Sequence, residues 1–390
     1  MTPLYDVVKK YRGKRFHMPS HGGKGRGLYA SAPYDVTELG FTDNLQAPTG
    51  VILEAEKLAA EAYGAESTLF FAGGATDAVQ TALYMLRGKK LAFLGDMHKS
   101  FHSALRLFSI DCIHLKDEQA AEDADFDVLC VTSPNYYGEI KDIPRLAALA
   151  AKKDAKLLVD EAHGAHFAFS SLLPESAVSY ADYVIHGMHK TLPVFTGGAF
   201  LHVKKSEDAA AREARAEVIG TSPSYLVMCS MDYARDLFLR KGEAYYDDVI
   251  RRIEKAKKRY PKLTFLRNDD PTRVVILREN GGKALAAHLE KKGVFAEASD
   301  SDRVVFIVTP YNVRGLKKAF RIASSFQGEN AEYSDISDII GKVCAKDVGI
   351  YPPGVPLVRA GETFTEESVR VLRANLDRLF GTVNGKILTK

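Results

Sequence analysis

LLVDEAHGAH, residues 157–166, carries an apolar run straight into two carboxylates and two histidines. Extended to KLLVDEAH (156–163), it reads as a strand, because a short continuous apolar run bounded by polar residues fits a strand buried on both faces. Asp160, Glu161, His163 and His166 then cluster at its carboxyl end. Buried carboxylates and imidazoles are costly unless something satisfies them. A metal ion, a proton relay, or a cofactor ring with an anion beneath its nitrogen would each do so.

The same kind of run recurs on both sides. STLFFA (67–72), KLAFLGD (90–96), CIHLKD (112–117), DVLCVTSP (127–134), ADYVIHGMHK (181–190) and GGAFLHVKK (197–205) read as strands. VILEAEKLAAEAY (51–63), TDAVQTALYML (76–86), KSFHSALRLF (99–108) and PRLAALAAKK (144–153) read as helices from their apolar spacing. About seven strands with interleaved helices predict a doubly wound, mostly parallel α/β sheet. Ligands of such sheets bind outside the carboxyl ends of the strands, where the polar residues here fall.

Ahead of this block, residues 1–50 read as an N-terminal surface arm, with a short basic amphipathic segment and the flexible stretch SHGGKGRG (20–27). The block itself forms a large domain over 51–245, with helical text through residues 206–260. A smaller α+β domain follows over 246–390, from TRVVILRE (272–279), GGKALAAHLEKKG (281–293), DRVVFIVT (302–309) and VRGLKKAFRIA (313–323). It ends with a Pro/Gly-rich piece, GIYPPGVPLVRAGE (349–362), and a last helix at 365–380.

Composition narrows the function. The 390 residues carry a net charge of only +3, so neither nucleic acid nor an anionic membrane is an expected partner. No stretch approaches the ~18 apolar residues of a membrane span, and the N-terminus lacks the apolar core of a secretory signal. The four cysteines, Cys112, Cys130, Cys229 and Cys344, form no CxxC pair. They read as reduced thiols of a cytoplasmic protein.

Two tripeptides, His98-Lys99-Ser100 and His189-Lys190-Thr191, follow strands. Either lysine alone reads as a surface residue. Lys190 stands apart because 30 residues separate it from Asp160, room for one crossover and the next strand. Adjacent strand ends would then present an amine and a carboxylate to one site. Pyridoxal phosphate (PLP) requires that pair: the lysine forms a Schiff base with its aldehyde, and the carboxylate keeps its ring nitrogen protonated. FAGGATDAV (71–79), a strand running into a helix, offers the N–H groups of Gly74, Ala75 and Thr76 to the phosphate. It is neither a Walker loop nor a dinucleotide fingerprint. His98 could lie on the ring, Ala162 is small enough to let a ring approach the backbone beside His163, and Ser133 and Tyr136 could line the pocket.

The set AGGATDA (72–78), GDMHKS (95–100), SPNYYG (133–138), DEAHGAH (160–166), HGMHKTLPVFTGGA (186–199) and YPPGVPL (351–357), with FTDNLQAPTGVI (41–52), resembles the Orn/Lys/Arg decarboxylase family over most of the chain. The resemblance implies a PLP-dependent enzyme of fold type I, like the aspartate aminotransferases. Lys190 becomes the Schiff-base lysine, Asp160 the partner of the pyridine nitrogen, and His98 the ring-stacking residue. His163 and His189 lie beside the cofactor, His189 towards the phosphate. The resemblance also implies a homodimer with active sites at the subunit interface and Thr196 near the partner's cofactor. Four features depart from the family. Gly187 stands where a phosphate-binding serine is common, the N-terminal motif reads PSHGGKG, no receiver-like N-terminal wing domain is expected from this sequence, and the C-terminal part reads as short.

The expected reaction is decarboxylation of arginine, lysine or ornithine to the corresponding amine and CO2, a step in polyamine biosynthesis. Lys190 or a nearby histidine would return a proton to the substrate carbon. Glu297 or Asp43 would match the substrate's side-chain charge. Three rivals remain. Aminotransfer would use Arg303 or Arg359 on the substrate carboxylate. A non-catalytic, PLP-binding regulatory protein would keep the same pocket. A zinc site would draw on His163, His166, His186 and His189, but no HExxH fixes their geometry, and no metal is expected.

Overall fold

The computed structural model describes residues 1–326, 332–350, 355–383 and 385–390. The first four residues of the YPPGVPL motif therefore lie outside the described residues. The chain forms two compact units. The first comprises Met1–Arg251 with Asn268–Arg273 and Thr309–Tyr311, and the second comprises the remainder.

In the first unit, α1 (Pro3–Lys10) and α2 (Val51–Tyr63) precede β1 (Ser67–Phe71), α3 (Ala75–Met85), β2 (Leu91–Leu94), α4 (Lys99–Leu107) and β3 (Cys112–Leu115). Then come α5 (Glu118–Asp123), β4 (Val128–Thr132), α6 (Ile143–Lys152), β5 (Lys156–Asp160), β6 (Tyr183–His186), α7 (Met188–Thr191), β7 (Ala199–Val203), α8 (Asp208–Val218) and, up to Arg251, α9 (Tyr225–Arg259), whose last residues count in the second unit. The seven strands form one sheet in the order β1-β7-β6-β5-β4-β2-β3. β3, β2, β4, β5 and β6 run parallel to one another. β7 runs antiparallel to both β6 and β1. This is the expected fold class. The exception, β7, arises because only a short turn separates it from α7.

The buried strands explain their own composition. Every residue of β1, β2, β6 and β7 is buried, so apolar side chains face helices on both sides. One face packs Leu69, Phe71, Phe93 and Leu158 against α3 and α4. Another apolar layer, with Ile52, Phe70, Phe200 and Met231, gathers α1, α2 and α9. Two features differ from the sequence reading. The hexapeptide EQAAED forms α5, capped by Asp117 accepting the amide of Ala120 at 2.9 Å. Residues 3–10 form a docked helix rather than a loose arm. Leu4 and Val8 are buried, and the Asp232 carboxylate accepts the amides of Leu4 and Tyr5 at 3.1 and 3.2 Å. Free helix-start amides need such a partner.

The second unit holds a four-stranded sheet of Thr264–Phe265, Arg273–Leu277, Ala298–Ser299 and Arg303–Ile307, with helices Gly282–Lys291 and Leu316–Ser325. Beyond these lie two three-stranded sheets and the helix Glu366–Arg373, whose Thr365 makes a capping box with Ser368. Ile339, Val348, Phe364 and Leu372 form their small core.

Candidate active site

β5 and β6 are neighbours in parallel register, with Asp160 opposite Ile185. Asp160 therefore ends β5 beside the point where β6 runs into α7. Gly187 makes that passage tight: its N–H bonds the Ala162 carbonyl at 3.2 Å, and its own carbonyl accepts the Lys190 amide at 3.0 Å. The turn aims Lys190 back over the sheet edge, where its Nζ lies 3.2 Å from Nε2 of His163. Amine, carboxylate and imidazole thus meet from two adjacent strand ends.

The charges fit that grouping. Burial raises the pKa of Asp160, while Lys190, the Ala162 amide and His98 partly offset the rise. His163 is held well below its usual range, by burial first and then by the neighbouring Lys190 and Arg273 side chains. His98 caps α4, its Nδ1 accepting the Ser100 amide at 3.2 Å. Burial lowers its pKa, with Asp160 opposing and Lys190 adding.

The elements around this cluster bear on PLP. Gly74 precedes α3 at φ 98°, a backbone favoured by glycine, and the first amides of that helix belong to Ala75 and Thr76. His189 is half-buried and spends Nδ1 on the Gly198 carbonyl at 3.0 Å, so Nε2 is the nitrogen not committed to that bond. Ser133 ties its own loop, its hydroxyl accepting the Lys141 amide at 3.1 Å. Tyr136 sets its ring edge-on to His163 at 5.2 Å. A Cβ at Gly187 would meet the Ala162 carbonyl at 2.8 Å and Lys190 Cδ at 3.0 Å. Even a serine there would displace the lysine, so the glycine is part of this lysine turn. An amine nucleophile, a buried anion at the neighbouring strand end and glycine-opened amides are a donor set that fits PLP.

The other polar residues of DEAHGAH go elsewhere. Glu161, 3% exposed, accepts the Ala177 amide at 2.9 Å and the Ser176 hydroxyl. It also meets His186 Nε2 at 2.6 Å. His186 Nδ1 then pairs with His202 Nε2 at 3.0 Å, and His202 Nδ1 with Thr68 at 2.8 Å. The chain crosses β6, β7 and β1 inside the protein. Burial pushes Glu161 up to about 8 and His186 down to about 3, so the neutral forms prevail. His166 bonds Thr272 at 3.0 Å and meets Asp270 at 3.4 Å. The four histidines of the zinc alternative thus take separate partners. Among the described residues, no group of three or more His, Cys, Asp or Glu is arranged to hold a metal.

Asp43 does not stand as a free counter-charge. Burial alone would raise its pKa, but the amides of Thr49, Asn44, Gly50 and Ile52 hold it below the usual range. Its carboxylate thereby caps the loop that opens α2. Thr196 is exposed. Glu297, Arg303 and Arg359 belong to the second unit.

Sequence reasoning missed Arg273. It reads as the polar start of a small-domain strand, yet it is 2% exposed and its Nη2 donates to Nδ1 of His163 at 3.2 Å. The SPNYYG loop delivers it. The Gly138 carbonyl accepts the amides of Asp269 and Asp270, each at 3.0 Å. Asn268 bridges the carbonyls of Tyr137 and Arg273 at 2.6 and 2.7 Å. The one available signal was an arginine directly behind the turn residues NDDPT.

Comparison with known proteins points one way. The family described as Orn/Lys/Arg decarboxylase, major domain, matches residues 2–123 and 109–280, and the corresponding C-terminal domain matches residues 315–376. An uncharacterised Bacillus subtilis protein is 28% identical, covering 95% of this chain and 93% of its own. The arginine decarboxylase of the same organism is 26% identical, covering 96% and 93%. Among solved structures, lysine decarboxylase A from Pseudomonas aeruginosa superposes with a TM-score of 0.71 at 15% identity, over 100% of this chain and 80% of that one.

Proposed function

The chain belongs to the Orn/Lys/Arg decarboxylase family, and on that premise we propose that it decarboxylates arginine at a site built on Lys190 and Asp160. It is a PLP-dependent amino-acid decarboxylase acting on a basic amino acid. Arginine is favoured among the three family substrates because several full-length relatives carry the name arginine decarboxylase.

The observation that carries the site is the meeting of Lys190 Nζ with His163 Nε2 at 3.2 Å, over the end of the strand that bears Asp160. When bound, PLP supplies a conjugated ring that takes up the electron pair released as the bond from Cα to the carboxylate breaks. Lys190 would bind the cofactor through its amine. Asp160, a buried anion, would hold the proton on the ring nitrogen. His98, exposed at the mouth of α4, would cover the ring. Gly74, Ala75 and Thr76 would hold the phosphate with their amides, aided by His189 Nε2. Ala162, with its small side chain, would let the ring approach the backbone, and Ser133 keeps its loop folded back. Lys190 Nζ or His163 would return the proton to the substrate carbon.

We further propose a cytoplasmic homodimer with active sites at the subunit interface, serving polyamine biosynthesis. Exposed apolar side chains of the first unit, including Phe16, Leu28 and Phe195, support the dimer. Light scattering tests it, and a monomer would reject it. The substrate is tested by supplying the purified enzyme with arginine, lysine or ornithine and measuring CO2. Arginine should give the highest kcat/KM. Faster turnover of another amino acid would reject the arginine assignment.

A further inference from the structure

The hydrogen bonds around His163 fix more than its position. An arginine guanidinium has donors and no acceptor, and it stays charged in proteins. Its 3.2 Å contact with His163 Nδ1 is therefore a hydrogen bond only if Nδ1 carries the lone pair. The proton of the neutral ring then sits on Nε2. That N–H lies 3.2 Å from Lys190 Nζ, and an ammonium has no lone pair to receive it. The two contacts are compatible only when the lysine is a free amine.

We propose that Arg273 is a positioning residue that locks His163 as its Nε2–H tautomer and thereby holds Lys190 as an uncharged amine, ready to bind the cofactor aldehyde. The inference rests on the reading of Lys190 as the cofactor-binding lysine. Lysine must lose its proton before it can attack a carbonyl. Burial, the largest cause, and the Arg273 guanidinium keep the imidazole neutral, as the lock requires. The charged and titratable groups facing the pair are Asp160 from β5, His98 and Lys99 from α4, Tyr136 from the loop after β4, His166 from the loop after β5, and Arg273. Asp160 pulls towards the ammonium, and the tautomer lock opposes it.

The test follows Lys190 in the full chain freed of cofactor. Modification of its amine by trinitrobenzenesulfonate is measured by peptide mass spectrometry across pH. Arg273→Met should raise the pH midpoint of modification by about one unit, roughly a tenfold slower reaction at a fixed pH below the midpoint. Arg273→Lys, again a donor-only cation, should restore much of the loss. In a His163→Leu background, Arg273→Met should move the midpoint little, which separates the tautomer lock from simple charge repulsion. An equal shift with and without His163 overturns the lock. So does an unmoved midpoint with a raised KM, which would make Arg273 a substrate-carboxylate holder. Should the buried substitution unfold the chain, the unaltered protein still decides: the 15N resonances of His163 must report Nε2–H, and Nδ1–H overturns the proposal. If the unaltered protein never gains a visible band with PLP, the cofactor role of Lys190 fails whatever the tautomer.

Discussion

Asp160 and Glu161 are consecutive, both carboxylates and both at most 5% exposed, yet they lead different lives. Successive side chains near a strand end leave on opposite sides of the sheet. Asp160 emerges on the side where Lys190 and His163 gather and where exposed His98 opens to solvent. Glu161 enters a closed chain of Ser176, His186, His202 and Thr68, every member of which is bonded inside the protein. Burial raises both acids. What separates them is the company: Asp160 sits among cations beside an opening, whereas Glu161 sits among neutral imidazoles behind one. A perturbed carboxylate indicates chemistry when its surroundings leave a side for a ligand, and indicates architecture when they close it.

The contrast can be broken from the catalytic side first. Lys190→Ala should abolish the visible PLP band and lower CO2 release on the order of 1000-fold or more, with thermal unfolding little changed. Lys99→Ala, in the helix after β2 and three strands along the sheet from β6, should leave the band intact. Asp160→Asn keeps the shape but removes the anion, so kcat should fall by about 100-fold while the protein still binds PLP. Glu161→Ala should behave in the opposite way. It strips His186 and Ser176 of their shared partner, and stability should drop by about 3 kcal/mol in urea unfolding, with most turnover per folded chain retained. A Glu161→Ala protein that is stable but inactive would merge the two carboxylates into one site.

How much of this was legible follows from how local each feature is. The strands KLLVD and YVIH were readable because a fully buried strand must be apolar along its length. Their ends were readable because polar residues begin there. The separation of Lys190 from Asp160 sufficed to place them together once the sheet was parallel. The partition between Asp160 and Glu161 was in principle readable from strand alternation, but His202 and Thr68, which complete the Glu161 chain, lie on strands joined to it only by the fold. Arg273 is harder still. Its contact with His163 spans 110 residues and depends on the grip of the SPNYYG loop on residues 268–273. Likewise, nothing in the text of residues 3–10 announces that Asp232 will cap them.

The finest probe of the comparison is Glu161→Gln. The native carboxyl titrates near pH 8, against 4.5 for an ordinary glutamic acid, so the folded protein keeps a proton that the unfolded chain gives up over that interval. A raised acid stabilises fully below pH 4.5, and that contribution is lost as pH climbs through 8. His186, lowered to about 3, acts with the opposite sign: its contribution is present above its ordinary 6.5 and is lost as pH falls towards 3. Both proteins carry the histidine, so their difference isolates residue 161. Glutamine stands in for the protonated acid: with its nitrogen in place of Oε2 it can donate to His186 Nε2 and to the Ser176 hydroxyl oxygen, while its oxygen accepts from the Ala177 amide. The variant should therefore match the parent near pH 4.5 and gain on it towards pH 8, by at most about 1.4 kcal/mol per pH unit. Unfolding midpoints at pH 5, 6.5 and 8 measure this. A constant difference across the three would mean that Glu161 is ionised in the folded protein, and the closed chain would then be an ion pair with His186 rather than a neutral relay.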